Sequence, residues 1–206
     1  MPEFSELAEA LCPAILLSLS LALCAGLLGI VLSLCFAKLL KNPPFKGIKA
    51  CIEILSYVVK GLPEILIILS FYYFLHLPAY INGMLALALL FAVYGIEVWM
   101  SALEAIPKGQ EEASLSLNLR PWEHDYHILL PQLIQKALPG LKNLWLILLK
   151  DTALVSQIGL TEIMQTIYEI APQSHNPTGL YALGALIYII LSFGSEFLID
   201  KKISRK

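Results

Sequence analysis

Residues 14–37 read AILLSLSLALCAGLLGIVLSLCFA, an apolar run without a charged side chain. An α-helix rises about 1.5 Å per residue, so roughly 20 apolar residues cross the ~30 Å hydrocarbon core of a bilayer. Lys38 and Lys41 follow the run, and Pro43 and Pro44 prevent the helix from continuing. The stretch therefore predicts a membrane-spanning helix that ends in basic residues.

Four further apolar runs predict four more spans, at residues 50–75, 83–103, 134–149 and 180–199. The hydrophobic fraction of the chain is 58%, the charged fraction 15% and the mean hydropathy +0.73. A soluble domain has about 45–50% apolar and about 25% charged residues. Composition therefore excludes a soluble globular domain. We expect an all-α integral membrane protein in which residues 1–206 form one transmembrane domain with five spans.

The second apolar run contains residues that interrupt a helix, namely Lys60, Gly61, Pro63 and Glu64. Pro63 has no amide hydrogen, and its ring would clash with the carbonyl group of Val59. We therefore expect a loosened helix here, with backbone groups that are available to a ligand or to water.

Basic residues predict the orientation of the spans, because Lys and Arg concentrate in cytoplasmic segments. With a cytoplasmic C-terminus, all Lys and Arg except Lys60 and Lys150 fall in inner segments: Lys38, Lys41, Lys46, Lys49, Lys108, Arg120, Lys136, Lys142, Lys201, Lys202, Arg205 and Lys206. We therefore predict an external N-terminus and a cytoplasmic C-terminus. The N-terminal segment lacks the basic residues of a cleaved signal peptide, so we expect the first span to be retained.

The polar segment after the third run predicts a short helix. Gly109 is expected to end the third span, and Glu111 and Glu112 then fall in the first helical turn, where carboxylates interact favourably with the helix dipole. Leu115 and Leu119 are four residues apart, which places them on one helical face. The pattern alone favours a surface helix that lies along the membrane.

The same segment carries a sequence signature. It is similar to E-A-A-x3-G-x9-I-x-L-P, the signature of ABC importer permeases, at Glu112, Ala113, Ser114, Asn118, Ile128, Leu130 and Pro131. Asn118 replaces the glycine of the signature, and Asn is the non-glycine residue that best adopts a left-handed helix cap. The resemblance implies that residues 110–119, together with Gly109, form a coupling helix that docks into a groove of a cytoplasmic ATPase subunit.

Three other motifs extend the resemblance over residues 16–198. Residues 60–64 (KGLPE) resemble R-G-x-P, residues 106–110 (IPKGQ) resemble V-P-x-G-Q, and residues 148–156 (LLKDTALVS) resemble L-L-K-D-T-S/A-L-V-S. All three are motifs of polar amino-acid permeases. Four motifs in this order identify the chain as a member of that family of ABC permeases, and the chain looks most like the arginine type.

This resemblance implies the type I ABC importer permease fold and a multi-pass protein of the bacterial inner membrane. It also implies three kinds of partner: a dimer of ABC ATPase subunits, a second permease subunit that is identical or homologous, and a periplasmic or lipid-anchored amino-acid-binding protein. The chain contains no G-x-x-x-x-G-K-[ST] loop, so ATP is expected on the ATPase subunit and the permease is expected to be non-catalytic. ATP would drive alternating access. Membrane lipid is an expected contact, and a net charge of −2 suggests no nucleic-acid partner.

Charged residues inside spans are costly, and by default they mark a functional pathway. Lys60, Glu64 and Glu97 are candidates for the substrate pathway, although Lys60 and Glu64 could instead form a structural ion pair. Asp151 and Thr152 follow the fourth run. They are either a helix N-cap or part of a gate that receives substrate.

A cationic substrate side chain in a low-dielectric cavity needs an anionic partner, because burial of an unpaired charge is heavily penalised. Glu64, Glu97 and Glu162 could supply that partner. The resemblance associates an acidic residue after the motif proline with arginine and histidine permeases, although Met100 stands where the family often has Arg. We expect transport of arginine or a related basic amino acid. The alternatives are a glutamine, glutamate or opine permease and, in another class, an ATPase-independent transporter or channel.

Other features have plainer explanations. The four cysteines form no C-x-x-C pair and are expected to act as small apolar residues. His124 and His127 lie close in sequence, but a metal site needs more ligands, so no metal and no cofactor are expected. Gly26, Gly29, Gly184 and Ala185 are expected where helices pack closely, at subunit interfaces or within the bundle.

Overall fold

A computed structural model describes residues 4–107, 109–174 and 176–203. Within these ranges the structure contains no β-strand. The helices, in chain order, are α1 Phe4–Lys41, α2 Lys46–Gly61, α3 Glu64–Leu75, α4 Ala79–Glu104, α5 Gly109–Ser116, α6 Pro121–Glu123, α7 Leu130–Asp151, α8 Ile163–Ile170 and α9 Pro177–Ile203. A π-helical segment, His124–Leu129, precedes α7, and 3-10 segments follow α7 (Thr152–Ile158) and α8 (Ala171–Gln173).

Three helices are long and apolar enough to cross a membrane: α1 over Leu7–Lys41, α4, and α9 over Pro177–Lys201. Two bent pairs of helices also qualify if each pair counts as one span. They are α2 with α3, and His124–Ile158 with Ile163–Gln173. The described residues therefore contain up to five spans. This confirms the all-α membrane architecture that the apolar runs predict.

The second span is broken rather than loosened. The axes of α2 and α3 differ by 112°. Leu62, between them, has an extended backbone with φ −101° and ψ 144°, the conformation that a following proline imposes. Pro63 itself, with ψ 135°, cannot continue α2. The expected loosening within residues 50–75 is therefore a full break between two helices, because Pro63 acts on both neighbouring residues.

The third span ends before Gly109. Its last turn closes when the N–H of Ala105 binds the Ser101 carbonyl oxygen at 3.1 Å. Pro107 then has no N–H with which to continue the helix. Gly109 is instead the first residue of α5, so the prediction that Gly109 ends the span is wrong.

The centre of the bundle is the contact between α1 and α4. A Cβ atom added at Gly29 of α1 would lie 2.7 Å from the Cβ atom of Phe91, so a larger residue would force the two helices apart. An atom added at Gly184 of α9 would lie 2.4 Å from Cδ1 of Ile167 on α8. A Cβ atom added at Gly26 of α1 would likewise lie close to side chains of α7. The expected close packing at these three glycines is confirmed, whereas Ala185, the fourth small residue of the prediction, is exposed in this chain.

α9 lies against α7 and α8, yet only 6% of its most apolar window is buried inside the chain. Lys142 of α7 binds Glu196 at 3.1 Å and Asp200 at 3.0 Å, which ties the two helices together toward the end of α9. Most of the apolar surface of α9 therefore faces outward, where lipid or another subunit must cover it.

Candidate functional site

The break between α2 and α3 places two charged residues of the second span in different surroundings. Lys60 lies in the last turn of α2 and forms an ion pair with Glu97 of α4. Glu64 begins α3 beyond the break. The alternative of a structural pair between Lys60 and Glu64 is therefore wrong, because the two residues no longer share a helical face.

An acidic cluster forms where α3, α4 and α7 meet. Glu64 of α3, Glu97 of α4 and Asp151 of α7 all lie within electrostatic range of the ring of Tyr94, and Asp151 also interacts with Glu64. The Glu97 side chain is 68% exposed, whereas Glu64, Asp151 and Tyr94 are half-buried. Three helices thus bring carboxylates distant in sequence to one region.

The positive charges near this cluster do not neutralise it. Lys60 is engaged by Glu97, and the exposed Lys150 interacts with Asp151. Glu64 has no ion pair among the described residues, so its carboxylate is available to a positively charged group. Such a region attracts a cationic group that enters between the helices.

Asp151 and Thr152 do not cap a helix. Asp151 precedes the 3-10 segment without a capping hydrogen bond from its side chain. Thr152 is fully buried, and its hydroxyl group donates to the Leu149 carbonyl oxygen at 2.8 Å. The N-cap interpretation is therefore wrong, because the α7 backbone continues directly into the 3-10 segment and its N–H groups have helical partners.

Glu162 is fully buried and belongs to a different part of the bundle. Its carboxylate caps α8 by accepting from the Gln165 N–H at 2.9 Å, and it also accepts from Tyr188 Oη at 2.7 Å and from Ser18 Oγ at 3.4 Å. Glu162 is thus satisfied by protein donors. The suggestion that it supplies a counter-charge in the substrate pathway is not supported by this geometry.

Three residues of these arrangements, Tyr94, Ser18 and Tyr188, are absent from the sequence-based candidates. Tyr94 lies three residues before Glu97 on α4, so the i, i+3 spacing could have identified it. The role of Glu162 as a cap has a local signal, a carboxylate directly before an apolar helix. Its partners Ser18 and Tyr188 come from distant helices, so no local pattern reveals them.

The segment with the permease signature forms α5, which ends two residues before Asn118. Asn118 has φ 52°, and the N–H of Leu119 binds the Ser114 carbonyl oxygen at 3.1 Å across it. This is the hydrogen bond of a Schellman cap. The expected left-handed cap at Asn118 is therefore confirmed.

The helix is shorter than the predicted range of residues 110–119. Leu119 lies beyond the cap, so its proposed i, i+4 pairing with Leu115 on one face is wrong. The backbone of Glu111 and Glu112 lies near the start of α5, and Ala113 is exposed. The side chains of Glu111, Glu112 and Leu115 lie outside the described part of the structure.

The rest of the signature lies where the π-helical segment joins α7. Ile128 is in that segment, and its carbonyl oxygen accepts from Gln132 Nε2 at 3.0 Å. Leu130 and Pro131 begin α7, which continues directly from the π-helical segment, since the Leu130 N–H binds the Asp125 carbonyl oxygen. Ser114 of α5 is buried. The signature thus extends from α5 to the start of a span.

The two histidines of this region do not form a metal site. His124 Nδ1 lies 3.4 Å from Asp125 Oδ1, and the ring of His127 packs near Tyr126. Among the described residues, no group of three or more His, Cys, Asp or Glu side chains could hold a metal ion.

Comparison with known proteins gives consistent results. The family "Binding-protein-dependent transport system inner membrane component" matches residues 26–203. The arginine ABC transporter permease protein ArtQ of Haemophilus influenzae is 37% identical and aligns with 96% of this chain and 94% of its own length. The nopaline transport system permease protein NocQ of Agrobacterium fabrum is 31% identical over 86% of this chain and 82% of its own.

Solved structures agree with these sequence relatives. A crystal structure of an amino acid ABC transporter with histidines superposes with a TM-score of 0.87 at 26% identity, covering 98% of this chain and 96% of that one. The MetNI methionine ABC transporter superposes with a TM-score of 0.82 at 18% identity, covering 100% and 99%, which shows the fold alone. The fold is that of the type I ABC importer permeases, and the chain belongs to the family of inner membrane components of binding-protein-dependent transport systems.

Proposed function

We propose that this chain is the permease subunit of an ATP-driven importer for amino acids that carry a cationic side group, with arginine as the first candidate. The observation that carries the proposal is the acidic cluster. Glu64, Glu97 and Asp151 all lie within electrostatic range of Tyr94, Lys60 pairs with Glu97, and Lys150 acts on Asp151. A cationic substrate would restore charge balance in this region, whereas a neutral or anionic one would not.

The chemistry of the substrates named for two relatives supports a guanidinium group in particular. One relative is named for arginine and the other for nopaline, and both compounds contain a guanidinium group. A guanidinium presents a planar set of N–H donors that matches a carboxylate in a bidentate arrangement. Glu64 and Asp151 are the carboxylates we propose for this contact. An opine permease is therefore the second candidate function.

We place ATP hydrolysis on a separate subunit. The 206 residues contain no phosphate-binding loop of the G-x-x-x-x-G-K-[ST] type. The coupling region would be α5 with Glu112, its Asn118 cap and the start of α7, which together join a surface helix to a span. Closure of two ATPase subunits on α5 would then move α7 between two states of the pathway.

The proposed orientation has an external N-terminus and a cytoplasmic C-terminus. It places the basic ends of α1 and α9 on the same side as α5, as an ATPase-docking helix requires. Lys108, Arg205 and Lys206, which also support this orientation by sequence, lie outside the described residues. The binding protein would then deliver substrate on the side where α3 and α7 end, and a second permease subunit would cover the exposed face of α9.

The experiment is ATP hydrolysis by the reconstituted complex with its binding protein, measured against arginine, octopine, lysine, glutamine and citrulline. Citrulline has the shape of arginine without its positive charge. We expect arginine to stimulate hydrolysis and citrulline to have little effect. Glu64→Gln should raise the arginine concentration for half-maximal stimulation about tenfold, which corresponds to one lost charged contact of about 1.4 kcal/mol.

The matched control is Glu53→Gln, which removes the same charge from an exposed position on α2. This variant should behave like the wild type. Equal stimulation by citrulline and arginine, or an unchanged Glu64→Gln variant, would contradict recognition of a cation by the cluster. Failure of every amino acid to stimulate hydrolysis would contradict the permease function itself.

A further inference from the structure

A cavity of about 400 Å³ lies between the ends of α1 and α4 and the π-helical segment. None of its lining residues belongs to the acidic cluster. Leu34 and Ala37 of α1, Trp99 and Leu103 of α4, and Leu133 of α7 form its apolar walls. The volume lies within the range of cavities that bind small molecules, about 300–1,000 Å³.

The polarity of the cavity changes along α1. Leu34 lies at the apolar end, Lys38 lies about one helical turn further along α1, and Lys41 about two turns. Both lysines are exposed, and within the described part of the chain neither forms an ion pair with a carboxylate. An occupant with an apolar tail and an anionic head would match both ends.

The rim of the cavity has the composition of a membrane interface. Trp122 is 58% and Tyr126 is 66% exposed beside the lysines, and aromatic side chains of this kind concentrate at the level of lipid headgroups. Asp125 also lines the rim, but it lies 3.4 Å from His124 Nδ1. Two lysines against one carboxylate leave the mouth with a positive balance.

We propose that this cavity binds one anionic glycerophospholipid. The phosphate contacts Lys38 and Lys41, and an acyl chain lies along Leu34, Trp99 and Leu103. The cavity opens where two spanning helices end, so its apolar base faces the hydrocarbon region and its lysines face the headgroups. The inference rests on the proposed function only for the orientation of the spans. In that orientation the cavity opens to the cytoplasmic leaflet. Basic pockets between helices on that side suit anionic headgroups.

The test uses tryptophan emission from the full permease chain in nanodiscs, with and without its ATPase subunit. The lipid probes are phosphatidylglycerol and phosphatidylcholine with the same brominated acyl chain, since bromine quenches a tryptophan that it contacts. Two of the three tryptophans, Trp99 and Trp122, line the cavity. Trp145 packs toward Gly26 of α1 instead.

We expect quenching by brominated phosphatidylglycerol at a lower lipid fraction than by brominated phosphatidylcholine, and Trp122→Phe should remove part of the difference.

The decisive comparison is between two double variants. One carries Lys38→Gln and Lys41→Gln, and the other carries Lys46→Gln and Lys49→Gln. Both pairs remove two exposed positive charges at adjacent helix ends, but Lys46 and Lys49 do not line the cavity. The first pair should raise the phosphatidylglycerol fraction for half-maximal quenching about tenfold. The second pair should leave it unchanged.

Four results would overturn the proposal. Equal effects of the two double variants would mean that the lysines only attract the charged membrane surface. Equal quenching by the two lipids, or full competition by soluble glycerol phosphate, would mean that no anionic lipid is selected. Loss of quenching when the ATPase subunit binds would mean that the protein partner covers the cavity. ATP hydrolysis stimulated by arginine is measured separately, so this inference and the proposed function can fail independently.

Discussion

Among the described residues, Glu162 is the one acidic residue whose side chain is fully buried. It connects α8 with α1 through Ser18 and with α9 through Tyr188. A carboxylate taken out of water is tolerated only when donors replace its hydration. Glu162 meets this condition at the N-terminus of α8, where the N–H groups also favour negative charge. We infer that it fixes the position of α8 relative to its neighbours.

Replacing Glu162 by Leu should therefore destabilise the protein. The change leaves the Tyr188 hydroxyl and the Gln165 N–H without an acceptor, at a cost of about 2–4 kcal/mol in the free energy of unfolding. Glu162→Gln keeps an acceptor oxygen and should cost less than half as much. Thermal unfolding in detergent measures both effects, and the Leu variant should lower the midpoint by about 5 °C or more. A Leu variant as stable as the wild type would contradict the role assigned to these hydrogen bonds.

The ion pair between Lys60 and Glu97 is expected to affect the KM for arginine. Glu97→Gln leaves the Lys60 ammonium unpaired near the proposed cation site, and two like charges several ångströms apart near a protein surface repel by about 1–2 kcal/mol. The KM for arginine should therefore rise about fivefold to tenfold. Combining Glu97→Gln with Lys60→Gln removes the repulsion and should restore most of the affinity. A double variant no better than the single one in the uptake assay would show that Lys60 does not act through its charge.

The sequence identifies most charged residues of the site but not their partners. A Lys or Glu inside an apolar run is recognisable because its burial is costly. The carboxylate that pairs with Lys60 is determined by the direction of the chain after Pro63. Residues 60–64 do not encode that direction. The N-cap interpretation of Asp151 and Thr152 was wrong for another reason, because α7 continues into the 3-10 segment without a break.

At the scale of helices, the cap at Asn118 determines where α5 ends and the chain turns toward α7. A residue with φ near 52° strains a side chain that is branched at Cβ, by about 1–2 kcal/mol relative to Gly or Asn. We expect Asn118→Val to weaken assembly of the permease with its ATPase subunit about fivefold to tenfold. Asn118→Gly should assemble as well as the wild type or better, because glycine adopts this conformation without strain.

Titration of the ATPase subunit against permease in detergent, followed by size-exclusion chromatography, measures this effect. The Gly variant is the matched control, since it also removes the Asn side chain. Equal assembly by the Val and Gly variants would show that the left-handed cap is not needed for docking of α5.

The helix boundaries illustrate which elements a sequence predicts well. The first, third, fourth and fifth apolar runs lie within α1, α4, α7 and α9, because a long apolar run has few alternatives in a membrane. The break after Gly61 has a clear local cause in Pro63. The 112° bend does not, because α3 takes its direction from packing against α4 and the 3-10 segment.

In the whole molecule, the exposed apolar face of α9 and the proposed coupling helix are features of one subunit of a larger complex. Composition predicts a membrane protein, and the four motifs predict its family. How the helices pack is a matter of long-range contacts such as Gly29 with Phe91, which no local pattern specifies. The acidic cluster is likewise a product of the whole fold, since its carboxylates come from α3, α4 and α7.

The measurement that tests the account most directly is uptake of radiolabelled arginine into proteoliposomes that contain the permease, its ATPase subunit and the binding protein. We predict uptake that requires hydrolysable ATP inside the liposomes and is inhibited by excess unlabelled arginine or octopine but not by citrulline. Uptake that proceeds without ATP would contradict an ABC permease and favour an independent transporter. ATP-dependent uptake inhibited equally by citrulline would leave the permease in place and contradict recognition of the positive charge by the acidic cluster.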